Sequence, residues 1–467
     1  MNSVSQITLH DYQNDAVTWC SKQEATGAIL AYDMGLGKTI VSCALILHKP
    51  VKTMIMVPTC LLEQWEKEVI RHTGLSVSVY HSSTRKTFID SDIILTTPSI
   101  IANDMRLGIN RFKNVERLII DEAHRLKNSK GKIYQKLSLF CETVPFKVFL
   151  TGTPICNQAD DIISIICLSN LNTYNKLEYW KHKNYKVKET ILKNILPDIM
   201  LRKTQNETIC SMLPAIHRQD FILKLSEGEQ MDTYNHYVND KVILRRILRM
   251  RQCLNDHQLV IQETVPEEMS IKIETIKKIL TNISKDDKVI IFSNFTSVLK
   301  ALSNELGDCG IYHGGLKMKE RDKLLSDFKN ENSKTKVLLI NLRAGGCGLN
   351  LVEANHVILM EPYWNDSEQQ QAINRAYRLG QKKDVFVYRL IIDNTIETWL
   401  KKLQQMKKNI SDILVENKSE SKVEDIAKQK TDIDNLYKCV GVLELSEKNE
   451  KIVKNMLEQI EMSAANV

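Results

Sequence analysis

Short apolar runs rich in Val and Ile recur along the chain, separated by longer stretches whose apolar residues fall at helical spacing. In the first half the runs read GAILAYD, TMIMVP, DIILTT, RLIIDE and KVFLTGT; in the second, KVIIFS, KVLLINL, HVILME and VFVYRLII. A strand that is apolar on both faces is buried on both, as in a parallel sheet covered by helices on each side. Two such sets predict two α/β lobes, each a parallel sheet flanked by helices. Between them, over residues 158–265, the pattern turns helical and charged with no convincing parallel strand, so helical insertions and an inter-lobe connection are expected. Residues 411–467 are rich in Lys, Glu, Asn and Ser but keep spaced apolar positions, as in IVKNMLEQI, which predicts a peripheral helical tail. The expected divisions are therefore 1–157, 158–265, 266–410 and 411–467.

Two of the strand ends carry chemistry. GAILAYD runs into MGLGKT and then the helix-like TIVSCALILH, the strand–loop–helix context of a phosphate-binding loop. In the loop Asp33, Met34, Gly35, Leu36, Gly37, Lys38 and Thr39, the glycines would let backbone amides approach phosphate oxygens at a helix N-terminus. Lys38 would reach the β- and γ-phosphates and the Thr39 hydroxyl would ligate Mg²⁺. The common pattern wants a glycine where Tyr32 stands, so a Gly-containing turn with a surface lysine is the alternative. The second strand end, LIIDEAHRLKN, places Asp121 to hold Mg²⁺ and Glu122 to orient or deprotonate the attacking water. Acids are favoured at such positions anyway, but an acidic pair in the same lobe as GLGKT favours an ATP site.

Composition adds little. The 467 residues have a net charge of +7, compatible with a polyanionic partner without requiring one. No signal region and no membrane-length apolar run is read, and the eleven cysteines form no C-x-x-C pair, which argues against a zinc site or a disulfide framework.

With DMGLGKT and DEAHRLKN in place, the sequence resembles the Snf2 family of superfamily-two helicase-like ATPases. LTGTPICN and VPTCLLEQWEKE in the first half follow the family's motifs, as do KVIIFSNF, IYHGG, AGGCGLNL and QAINRAYRLGQ in the second. LRKTQNETICSMLPA and LRMRQCLNDH resemble the segments that join the halves, and the match spans roughly residues 5–410. The resemblance implies two RecA-like lobes with Snf2-type helical insertions, and a DNA-dependent ATPase with ATP and Mg²⁺ in the cleft and double-stranded DNA as partner. It implies that Gln13 reads the adenine and that Arg375 and Arg378 are arginine fingers; His124, Gly152, Thr153, Gly346 and Gln371 would couple hydrolysis to DNA movement. Thr59, Thr97, Ser293 and Trp364 lie in matching motifs as DNA-contact candidates, with Trp364 equally readable as a core aromatic. In KVILRRILRMRQ, Arg245 and Arg249 lie a helical turn apart; a DNA-facing or lobe-bracing role is favoured over an amphipathic helix with solvated arginines.

Departures occur at Asn374 and Tyr377, where the family often has Asp and His, and at Leu342, which puts a hydroxyl-mediated contact in doubt. No RING-like, bromodomain-sized or chromodomain-sized addition is read, a compactness similar to Snf2-type proteins of large DNA viruses, some called global transactivators. The expected function is a double-stranded DNA translocase that remodels or displaces DNA-bound proteins, nucleosomes among them, in a nucleus or a viral replication compartment. A strand-separating DNA or RNA helicase, and a regulatory DNA-binding protein with little ATP turnover, are the alternatives; the oligomeric state is left open.

Overall fold

The computed structural model describes residues 7–85, 88–109, 111–112, 114–155, 159–171, 173–238, 240, 243–260, 269–331, 333, 335–345, 348–364 and 366–405. The chain divides into two compact units, one running to Met212 and the other starting at Leu213.

The strands of the first unit are β1 (Ala28–Tyr32), β2 (Thr53–Met56), β3 (Val77–Val79), β4 (Ile93–Thr96), β5 (Arg117–Ile120), β6 (Phe146–Leu150) and β7 (Met200–Lys203). Among the described residues they form one parallel sheet in the order β3-β4-β2-β5-β6-β1-β7. Every residue of β1, β2, β4, β5 and β6 is buried, as their largely apolar runs predict, and Arg117 and Lys147 are buried with them. Flanking helices bury one stripe each: in Leu62–Thr73 it is Leu62, Trp65, Val69 and Thr73, at the spacing of one helix face.

The second unit repeats this plan with β8 (Ile216–Leu223), β9 (Val289–Ser293), β10 (Cys309–Tyr312), β11 (Val337–Asn341), β12 (His356–Leu359) and β13 (Val385–Ile392). They too are parallel, in the order β10-β11-β9-β12-β13-β8. Two apolar clusters contain the central strands, one including Ile290, Phe292 and Val357 and the other Ile291, Leu339 and Ile358. Inside this unit Lys272 and Glu397 form a fully buried ion pair. Lys272 Nζ also donates to Asn255 Oδ1 at 3.2 Å, and Glu397 Oε2 accepts from the Ile392 amide at 2.9 Å.

Two parallel sheets flanked by helices are the fold class expected. Residues 158–265 differ from the expectation, because besides the helices Ala159–Ile166, Tyr185–Ile199, Glu229–Val238 and Ile243–Asn255 they contain β7 and β8. Both are edge strands with polar positions exposed or half-buried, so they lack the apolar run that marks a central strand. Residues 411–467 and the tail helix expected there lie outside the described residues.

Candidate active site

The catalytic candidates of the first unit lie at the carboxyl ends of three neighbouring strands: Asp33–Lys38 after β1, Asp121 and Glu122 after β5, and Gly152 after β6. Open α/β sheets bind ligands at that edge. Gly35 and Gly37 have φ of 84° and 78°, a region where a side chain would be strained, and a Cβ on Gly37 would collide with Gln13 Nε2. Only glycine gives the loop this path.

Lys38 begins the helix Lys38–His48, and its Nζ donates to Tyr32 O at 2.8 Å and Asp33 O at 3.3 Å. Burial pushes the ammonium below its ordinary range, while Glu122, Asp121 and Asp33 pull it back. An enclosed cation among backbone carbonyls is suited to an anionic ligand. Gln13 closes the loop from the other side: its Oε1 accepts from the His10 amide at 3.0 Å and its Nε2 donates to Leu36 O at 3.1 Å. Tyr32, where the common pattern has glycine, is fully buried, and its phenol donates to Tyr12 O at 2.7 Å. It therefore ties the loop to the segment that carries Gln13.

Two loop supports went unrecognised in the sequence. Arg202 donates to Asp33 Oδ1 at 2.7 Å and to Ala31 O at 2.7 Å, and the Gln205 side chain donates to Met34 O at 2.7 Å. Both belong to LRKTQ, whose resemblance to a joining segment was the available signal.

Asp121 accepts from the Glu122 amide on Oδ1 at 2.8 Å and from the Trp65 indole on Oδ2 at 3.0 Å. Burial first, then the Glu122 carboxylate, pushes its carboxyl up to about 6, against Lys38 and the Trp65 donor. Glu122 has φ 50°, the left-handed region, which for a non-glycine residue is strain of the kind found at functional sites. His124 Nδ1 lies 3.3 Å from Glu122 Oε2 and 3.1 Å from Thr151 Oγ1, and Thr151 Oγ1 accepts from the Thr153 amide at 3.1 Å. Burial lowers the His124 pKa. The acidic pair and the TGT segment are thus one connected network. Met34 and Lys38 line the space a Cβ on Gly152 would enter, which brings that network to the phosphate loop.

These residues fit Mg²⁺ bound with a nucleotide. Among the described residues no group of three His, Cys, Asp or Glu could hold a metal alone. Mg²⁺ needs none, since it commonly takes one or two protein oxygens and completes its shell with phosphates and water. Asp121, with Thr39 opening the helix beside Lys38, supplies hard oxygen donors of that kind.

Of the DNA-contact candidates here, Thr59 is exposed at the end of β2. Thr97 is buried and caps the helix Pro98–Arg106, its hydroxyl accepting from the Ile100 amide at 3.4 Å. In the second unit Ser293 is buried at the end of β9, donating to Glu361 Oε1 at 3.2 Å. The same oxygen accepts from the Asn294 amide at 2.6 Å, and burial raises the Glu361 pKa. Trp364 is buried with its ring 5.3 Å from that of Trp399. Gln371 lies on the helix Asp366–Ile373; Arg375 is buried and Arg378 half-buried just beyond it. Leu342 and Tyr377 are core residues, which gives both departures a packing role. Arg245 pairs with Asp240, and Arg249 donates to Gln252 Oε1 at 3.1 Å. Gly346 lies outside the described residues.

A phosphate loop, an acidic pair and a linked TGT segment at adjoining strand ends define the class as a P-loop, helicase-like ATPase. The family model of the SNF2-related domain matches residues 12–295, more than half of the chain, and that of the helicase conserved C-terminal domain matches 271–380. The chain belongs to the SNF2-related family, whose members are DNA-dependent ATPases. It is 27% identical to the "Probable global transactivator" of Orgyia pseudotsugata multicapsid polyhedrosis virus, over 85% of this chain and 90% of that protein. With the "ISWI chromatin-remodeling complex ATPase ISW2" of Saccharomyces cerevisiae it shares 26% identity over 91% of this chain but only 42% of that protein. The chain thus spans most of its viral relative and less than half of the yeast one. The solved Sulfolobus solfataricus SWI2/SNF2 ATPase core in complex with dsDNA matches at 27% identity and a TM-score of 0.41, over 91% of this chain and 97% of that one.

Proposed function

We propose that this protein is an ATP-dependent double-stranded DNA translocase that displaces or remodels proteins bound to the duplex. One observation carries the reading: Lys38, the Asp121–Glu122 pair and Gly152 stand at three adjoining strand ends, in a chain whose family motifs continue through the second unit. The amides of Gly35–Gly37 and the Lys38 ammonium receive the phosphates, with Lys38 exchanging the Tyr32 and Asp33 carbonyls for phosphate oxygens. Asp121 and Thr39 would hold Mg²⁺, which would supply positive charge to the β- and γ-phosphates. Glu122 orients the attacking water, and His124 links it to Thr151 and so to the TGT segment. Gln13 reads the adenine, and Arg375 and Arg378 supply guanidinium charge to the transferring phosphoryl group.

Backbone phosphates of the duplex are the expected grip, which makes binding sequence-tolerant and salt-sensitive. Relatives named for transcription and chromatin support action on nuclear DNA or in a viral replication compartment. No helix among the described residues is long and apolar enough to cross a membrane. The test is steady-state ATP hydrolysis without nucleic acid and with single-stranded DNA, duplex DNA or RNA, alongside K38A and E122Q. Stimulation by duplex alone, lost in both variants, is expected, together with ATP-driven displacement of a triplex-forming strand. Stimulation mainly by single strands or RNA would replace the translocase with a strand-separating helicase.

A further inference from the structure

Trp65 has no part in the chemistry above, yet its indole reaches the middle of it. The helix Leu62–Thr73 starts directly after the Thr59–Leu61 turn, whose first two residues are exposed, and Trp65 lies in its first turn with 2% of its surface open. Its N–H donates to Asp121 Oδ2 at 3.0 Å while the Glu122 amide donates to Oδ1 at 2.8 Å. With one donor on each oxygen, the carboxylate cannot turn about its Cβ–Cγ bond without breaking both hydrogen bonds. Each oxygen keeps acceptor capacity for a cation. A phenylalanine would fill most of the same volume, so what tryptophan adds here is the donor.

We propose that Trp65 is a positioning residue for the divalent cation: its N–H fixes the Asp121 carboxylate in the orientation that meets the Mg²⁺ of Mg·ATP. Because its helix begins at the exposed Thr59 turn, that orientation is also tied to a segment at the carboxyl edge of the sheet. The inference rests on the ATPase reading of the first unit. Outer partners that orient a metal ligand are commonly worth about 10- to 100-fold in metal affinity.

The experiment compares wild type, Trp65→Phe and Asp121→Asn in the full chain, measuring fluorescent ADP affinity in EDTA and in Mg²⁺. Wild type should gain affinity with Mg²⁺ and D121N should lose that gain. W65F should keep the EDTA affinity and lose about tenfold of the gain. A full Mg²⁺ gain in W65F beside a lost gain in D121N overturns the role of Trp65 alone. A retained gain in D121N overturns the reading of Asp121 and the inference with it. A drop in W65F that is equal in EDTA and Mg²⁺ marks a packing defect and also overturns the proposal. Should W65F not fold, the wild-type protein still decides: its Trp65 indole N–H resonance must move when Mg²⁺ joins bound ADP, and an unmoved signal rejects the role.

Discussion

Replacing Asp121 with Asn should make the nucleotide-free protein more stable while removing ATP turnover. Burial and the Glu122 carboxylate push the Asp121 carboxyl up to about 6, whereas in an unfolded chain it titrates near ~3.9. Between those values the folded protein holds a proton that the unfolded chain has released, so stability falls as pH rises through the window. Above it the full cost is present, and below about pH 4 there is none. A shift of roughly two units is worth about 3 kcal/mol at most. Asp121 keeps part of its surface open, which screens the charge and lowers that figure. An Asn amide would also set its NH₂ against either the Trp65 or the Glu122 donor, offsetting about 1 kcal/mol. A net gain of about 1 kcal/mol near pH 7.5 follows, vanishing or reversing near pH 4. Urea unfolding of both proteins in EDTA across that range, read on the transition of the first unit, measures it. A less stable D121N at neutral pH, or a gap independent of pH, would refute the reasoning.

Lys272→Met should cost the second unit about 3–5 kcal/mol by leaving Glu397 buried without its cation. Lys272→Met with Glu397→Leu should recover much of this, and a double variant no better than the single one in denaturant unfolding would count against the pairing. Gln13→Ala should raise KM for ATP and narrow the preference for ATP over GTP, with Tyr32→Phe doing the same more weakly by loosening Tyr12; unchanged discrimination in both would remove Gln13 from the adenine. Gly37→Ala, forced into φ 78° and against Gln13, should lower nucleotide affinity at least tenfold by equilibrium binding, and wild-type affinity would disprove the close approach.

The strands that the sequence revealed and those it hid divide along one physical line. GAILAYD, TMIMVP, DIILTT, RLIIDE and KVFLTGT became the five inner strands of the first sheet, and KVIIFS, KVLLINL, HVILME and VFVYRLII the four inner strands of the second. The strands that escaped notice, β3, β7, β8 and β10, are the four sheet edges. An edge strand has fewer neighbours to bury it, so its residues need not be apolar on both faces, and β8 can read IHRQDFIL. The site followed a similar rule. Lys38, Asp121 and Glu122 were legible because phosphate and metal chemistry restricts the residue types beside a strand end. Arg202, Gln205 and Trp65 lie in the motif segments LRKTQ and VPTCLLEQWEKE, but the groups they brace lie 56, 169 and 171 residues away, so nothing local says what each side chain holds.

The edge position of β8 also bears on how the chain is made. In the first unit the edge strand β7 pairs with β1, which has already been synthesised when β7 appears. In the second unit the order is reversed, since β8 is made first and its partner β13 last, Ile216–Leu223 aligning with Val385–Ile392. At roughly 5–20 residues per second, the nascent β8 waits about 10–30 s for that partner. Its central residues His217, Arg218, Gln219 and Asp220 suit that delay, because charged and polar side chains discourage an unpaired strand from joining a neighbouring chain. In the completed sheet Arg389 of β13 donates to Asp220 at 2.6 Å, so a charge suited to an unpaired strand also helps to hold that strand once its partner is in place.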